Sequence, residues 1–296
     1  MRNYVIKGTI CYSKTSKEFC IIENGYVVCE NGKCAGTYIE LPKCYEAFPC
    51  YDYENKLVLP GFVDLYIDAP AYSIRGFGMD LEREERHNTF VLAEEKKYAD
   101  LSYADKAYDI FVEDLRNSAI ARARVLGTVH ADATFLLMKK IEMTGLKAYV
   151  ERKGTPEENL EIGDFENVRL VKPEMSIGKG IKEGLGKEIL AGSSLSIFKA
   201  MAARHSKIFQ GNFEVTKQPI SIEELFYEVT EGSGKYFGKV GSFEREYEFD
   251  AVVIDDSTMK YPEKLTVRER LERLIYLARE EHVVAKFVDG KKIFEK

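Results

Sequence analysis

The sequence predicts an α/β protein: an incomplete β/α-barrel-like domain beside a small β-sandwich built from both chain ends. Residues 57–151 alternate strand and helix patterns in the order β-α-β-α-β, which implies parallel strands joined by crossover helices. Both termini read as strands, so residues 1–56 and 246–296 are expected to form one composite sandwich domain around a 57–245 barrel-like middle. From Leu57 to Tyr236 there are 180 residues, whereas a closed eightfold barrel takes ~250 and at least about 200. About four strand–helix units fit in that length.

The elements follow in order. Residues 4–55 alternate and turn like a small sheet, with "YVIKGTICYS", "FCIIENGYVVCENGKCAGTYIEL" and "CYDYEN" as strand material. Asn31-Gly32 is a type I′ hairpin turn. A strand spans Leu57–Asp68, and a helical stretch runs from residue 82 to 123, with Tyr98, Tyr108, Phe111 and Leu115 at helical spacing. "ARVLGTVH" reads as a buried strand, "DATFLLMKKIEMTG" as a helix stopped by Gly145, and "LKAYVER" as a strand. Residues 154–194 are rich in glycine and charge, with only short apolar pieces. "SLSIFKAMAARHSKIF" is a serine-capped helix, and Ser221 and Glu224 are spaced as a capping box for another. Strands "EYEFDAVVIDDS" and "VVAKFVDGKKIF" enclose helix "TVRERLERLIYLAREE".

Composition excludes some function classes. The 296 residues carry a net charge of −6 and the pI is about 5.5, which disfavours nucleic acid or an anionic membrane as partner. No apolar run approaches the ~20 residues of a membrane span, and the first residues do not read as a signal peptide, so a cytoplasmic protein is expected. All six cysteines fall in the first 50 residues, without a C-x-x-C pair. The hairpin sets Cys29 opposite Cys34 with Cα atoms ~4.5 Å apart, a spacing compatible with a disulfide. Free, partly buried thiols are the leading reading for a cytosolic chain, with a cysteine-based metal or redox module as the alternative.

Few residues point to chemistry. "GKGIKEGLGKE" lacks the phosphate-loop spacing: Ile181 and Glu188 stand where glycine and Ser/Thr are needed. The histidines, His87, His130, His205 and His282, show no H-x-H or H-E-x-x-H spacing, and zinc needs several donors to converge. His130 ends a strand pattern, where barrel enzymes keep functional groups, and is a candidate ligand-binding residue. Tyr66 and Asp68, two apart on a strand, share one face. With Glu188 they offer oxygen donors, which suit hard ions better than zinc. A solvent-facing polar rim is the simpler reading of all three.

"LVLPGFVDLYIDAP", "RGFGMDLE", "EEKKYADLSYADKAYDIFVEDLRNSA", "LMKKIEMTGLKAYV", "SLSIFKAMAARHSK", "YFGKVGSFEREYEFDAVVIDDS" and "LERLIYLAREEHVVAKFVDGKKI" together resemble the guanine deaminases of the amidohydrolase superfamily. The resemblance implies a TIM-barrel-like domain, zinc as cofactor, and guanine or a related purine as partner. The implied reaction is hydrolytic deamination of guanine to xanthine and ammonia by a metal-activated water. It also implies which positions matter. The metal-binding His-x-His falls on Tyr66 and Asp68, the last-strand aspartate on Glu188, and the base-contacting glutamine after Ala-Pro on Ala71. After Pro173 the segment that would carry two further metal histidines and a glutamate is missing. The expectation is a degenerate member with the framework kept, the ligands replaced or deleted, and zinc not held. A deaminase whose site is completed by another subunit is the alternative, and a non-enzymatic binding module a further one. An opened barrel would expose two sheet edges and an apolar inner face, so a homodimer is expected unless residues 151–183 and a neighbouring helix fold across it.

Overall fold

The computed structural model describes residues 2–154, 165–171, 195–210 and 220–296, which form two sheets. In chain order the strands are β1 (Tyr4–Thr15), β2 (Glu18–Glu30), β3 (Lys33–Tyr38), β4 (Cys50–Pro60), β5 (Phe62–Asp68), β6 (Ile120–Leu126), β7 (Lys147–Glu151), β8 (Val168–Leu170), β9 (Ala251–Ile254), β10 (Val283–Val288) and β11 (Lys291–Glu295). The helices are α1 (Arg83–Arg86), α2 (Leu92–Lys97), α3 (Leu101–Asn117), α4 (Ala131–Thr144), α5 (Ile197–Gln210), α6 (Ile222–Tyr227) and α7 (Val267–Leu277).

The terminal strands form one seven-stranded sheet, in the order β11-β10-β9-β4-β1-β2-β3. It curls until its β3 end meets the segment leading into β9. Cys34 N–H donates to Tyr247 O at 2.8 Å and Phe249 N–H to Gly32 O at 2.9 Å. Ile6, Ile10, Val27, Phe243, Phe249 and Phe287 fill the enclosed space. The β2–β3 hairpin has the expected turn, with φ of 53° at Asn31 and 82° at Gly32.

The second sheet is parallel, in the order β5-β6-β7-β8, with Val125 paired to Ile67 on one side and Val150 on the other. It does not close into a barrel among the described residues. Apolar residues at helical spacing on α3 (Tyr108, Phe111, Leu115) and α4 (Leu137, Met138, Ile141) are fully buried against one face. The opposite face departs from expectation: it is neither open nor uniformly apolar. Val63 and Leu65 pack against Val240, Tyr236 and Phe237, and the Tyr149 ring lies 4.6 Å from that of Phe237. The chain itself covers this face with residues 236–240, which removes the exposed inner face from the case for a homodimer; most of the 151–183 segment expected to do so lies outside the described residues.

Other boundaries shift. The expected strand Leu57–Asp68 splits at Gly61: Leu57–Pro60 belong to β4 in the first sheet and Phe62–Asp68 form β5 in the second. The split depends on a glycine, because a Cβ at Gly61 would lie 2.4 Å from the Ala121 Cβ. β6 begins three residues before the expected strand and ends at Leu126, so His130 stands at the N-cap of α4 and not at a strand end. β8 arises within a stretch read as irregular. The expected 82–123 helix is broken: Asp100 restarts it by accepting Ser102 N–H at 2.8 Å, and it stops at Asn117, with residues 120–123 belonging to β6 instead.

All six cysteines are free. The register pairs Cys29 with Cys34 as the turn dictates, but both thiols are buried, and they donate to Arg2 O and Phe243 O respectively. Burial pushes Cys29 up to about 11 and Cys34 up to about 12, so neither supplies the reactive thiolate at neutral pH. Brief iodoacetamide treatment of the folded protein is expected to alkylate exposed Cys44 and Cys50 first. Cys29 and Cys34 should be modified only after denaturant is added. Peptide mass spectrometry showing early modification of Cys29 or Cys34 would contradict the buried register.

Candidate functional site at the strand ends

Parallel strands gather functional groups at their carboxyl ends, and here β5, β6 and β7 do so around one cation. Lys153, two residues beyond β7, points its Nζ between two carboxylates, 3.0 Å from Asp68 Oδ1 at the end of β5 and 3.1 Å from Glu95 Oε2 on α2. Each carboxylate also holds backbone. Asp68 Oδ1 accepts Ala71 N–H at 3.1 Å, and Glu95 Oε1 accepts Val129 N–H at 2.9 Å. The side chains of Asp68, Glu95 and Lys153 are 14%, 14% and 27% exposed, so solvent screens this triad only in part.

Burial alone would lower the Lys153 pKa, but Asp68 and Glu95 outweigh it and raise it, so the side chain remains an ammonium. Burial pulls Glu95 the other way, yet its bonds to Thr128, Lys153 and the Val129 N–H hold it below its ordinary value. The Tyr66 phenol is pushed up by burial and then by Asp68. It is therefore neutral at physiological pH.

The residues singled out from sequence converge only in part. Asp68 is central, and Tyr66 lies two residues before it on β5, half-buried. Ala71 contributes its backbone N–H to Asp68. His130 follows Val129, the residue that Glu95 anchors, and its own N–H donates to Thr128 Oγ1 at 3.2 Å. Glu188 lies outside the described residues. Glu95 and Lys153 were not singled out. Glu95 sits in "AEEKK", which reads as an ordinary solvated helix face, and the one available signal for Lys153 was its position just past a strand of a parallel sheet.

A zinc centre of the kind the resemblance implies needs several nitrogen, sulfur or carboxylate donors arranged tetrahedrally. The paired strand-end positions offer a protonated phenol, which is a weak donor, and a carboxylate oxygen already accepting an ammonium and an amide. Among the described residues no three His, Cys, Asp or Glu side chains are grouped so as to hold a metal ion. These residues do not fit the metal.

No family model matches the chain. Guanine deaminase of Escherichia coli K12 is 36% identical over 96 residues, which is 31% of this chain and 21% of that protein. Guanine deaminase of Dictyostelium discoideum is 28% identical over 99 residues, 33% of this chain and 22% of that protein. Each match spans about a fifth of the relative's length. In three dimensions the chain is similar to guanine deaminase from C. acetobutylicum, solved with guanine in its active site. The TM-score is 0.83 at 25% identity, over 99% of this chain and 100% of that one. A zinc-bound adenosine deaminase from Xanthomonas campestris shares the fold with a TM-score of 0.70 at 12% identity, over 99% of this chain and 93% of that one. No helix among the described residues is long and apolar enough to cross a membrane. In sequence over about a third of its length, and in fold over nearly all of it, the chain is similar to guanine deaminases.

Proposed function

We propose that this chain is a guanine-deaminase-like protein that does not turn guanine over. One observation carries the reading: Asp68, at a strand-end position where a deaminase of this family would place a metal ligand, is committed to Lys153 and to the Ala71 amide. Hydrolytic deamination in this family needs a metal-activated water, and lowering the pKa of that water requires the ion and its ligands together. Tyr66, neutral and half-buried, offers no substitute for an imidazole. Purine recognition is weakened as well. Ala71 stands where a side-chain amide would read the base, and its N–H is already donated to Asp68.

The expected result is no conversion of guanine to xanthine above the uncatalysed rate, in protein purified without chelator and then supplied with zinc. Xanthine formation followed by absorbance, with and without metal, makes the test. Turnover that a chelator abolishes and zinc restores would overturn the reading in favour of a working deaminase whose site is completed by another subunit.

A further inference from the structure

We infer that the Lys153 ammonium is a built-in counter-cation that stands in for a metal ion, holding Asp68 and Glu95 together at the strand ends. The inference rests on the reading of the chain as a protein that runs no metal-dependent hydrolysis, and adds what has taken the ion's place.

Two carboxylates from separate elements converge here, Asp68 from β5 and Glu95 from α2, and without a cation between them they repel. Lys153 Nζ lies 3.0 Å from one and 3.1 Å from the other, so a single charge neutralises both. A lysine ammonium is a compact point charge with three donors, closer in behaviour to a small ion than a planar guanidinium is. The triad also ties down two backbone segments. Asp68 fixes the turn that begins at Ala69, through Ala71 N–H. Glu95 fixes the loop between β6 and α4, through Val129 N–H. Arg152, next to Lys153, donates to Val129 O at 3.1 Å and closes the same loop from the other side. A bound metal ties loops together in the same way, but it can leave. A side chain anchored in the backbone cannot.

Removing the ammonium should leave two converging carboxylates with oxygen donors, a set that favours a hard divalent ion. The test uses the full-length chain and Mn2+ as probe, followed by paramagnetic resonance, calorimetry and thermal unfolding. The wild-type protein is expected to show no stoichiometric Mn2+ uptake at the triad. Lys153→Ala is expected to unfold several degrees lower, to bind one Mn2+ at least tenfold more tightly than wild type, and to recover its unfolding temperature when the ion is added. Adding Asp68→Asn to that variant should return Mn2+ binding to the wild-type level. If Lys153→Ala does not fold, Lys153→Gln removes the charge while keeping an amide donor, and the same binding comparison applies. Variants that fold but take up no more Mn2+ than wild type would overturn the inference. So would wild-type protein that binds the ion as tightly as they do. Neither outcome depends on guanine turnover, so a failure here is distinguishable from a failure of the non-hydrolysing reading.

Discussion

Replacing Arg122 by methionine is expected to destabilise the protein by about 3–5 kcal/mol, the cost of breaking a buried ion pair from one side. Arg122 projects from β6 of the parallel sheet and is 3% exposed. Its Nε donates to Asp250 Oδ2 at 2.5 Å, and its Nη2 reaches Glu248 Oε2 at 2.5 Å and Asp250 Oδ1 at 3.2 Å. Asp250 immediately precedes β9 of the seven-stranded sheet, so the pair bolts the two sheets together. Burial opposes the charge on the guanidinium, but Asp250 and Glu248 outweigh it and hold the group firmly protonated. In Arg122→Met the Asp250 carboxylate would remain buried, with the Asp289 N–H at 2.8 Å as one remaining donor. An uncompensated buried charge is worse than a lost hydrogen bond. Urea unfolding monitored by circular dichroism measures the difference. The double variant Arg122→Met with Asp250→Asn should recover part of the loss, because the stranded charge goes with it. A single variant within 1 kcal/mol of wild type would show that the pair does not hold the sheets together.

That junction also marks where sequence reading stops. The β-α-β-α-β order, the type I′ turn at Asn31-Gly32 and the Ser221 cap of α6 were legible, since each depends on local periodicity, turn chemistry or capping. The split of Leu57–Asp68 was not. The alternation is continuous across Pro60-Gly61, and only the close approach of Ala121 to Gly61 shows the chain passing from one sheet to the other. The cover over the parallel sheet was likewise hidden. Tyr236 and Phe237 come from the C-terminal side of α6, more than 80 residues from the strands they shield, and no local pattern announces that pairing. At the site, Asp68 was legible because it stands two residues from Tyr66 on a strand. Glu95 and Lys153 were not, because a glutamate on a helix and a lysine after a strand are each ordinary until folding sets them about 3 Å apart. The seven-stranded sheet reached beyond the expected boundary at residue 56, because a strand pattern does not record which sheet it joins.

Lys286 gives the second large effect, and its signature is a slope against pH. The residue sits on β10 with 0% exposure, and its Nζ donates to Leu115 O at 3.2 Å and Ile120 O at 2.9 Å. It thereby joins the first sheet to the last turn of α3 and the first residue of β6, the strand whose far end leads into the loop that Glu95 anchors. No carboxylate pairs with it at the distances of an ion pair among the described residues, and burial, then the Arg116 charge, lowers its pKa well below the ordinary 10.5. The sign follows from the proton count. Between that lowered value and 10.5 the unfolded chain binds a proton that the folded chain does not, so stability rises with pH across the window and falls as pH is lowered through it. The slope from one such group is at most about 1.4 kcal/mol per pH unit. Lys286→Met keeps most of the apolar stem and removes the titrating group. Leu115 O retains the Ser118 hydroxyl at 2.8 Å as donor, so the cost of losing the amine is limited on that side. Urea unfolding at pH 7, 8, 9 and 10 should show the wild type gaining on the methionine variant at each step, with the variant relatively most favoured at the lowest pH. Other lysines and tyrosines titrate in both proteins and cancel in the difference. A difference that stays constant from pH 7 to 10 would mean that Lys286 remains charged in the fold, held by its two carbonyls rather than neutralised by burial.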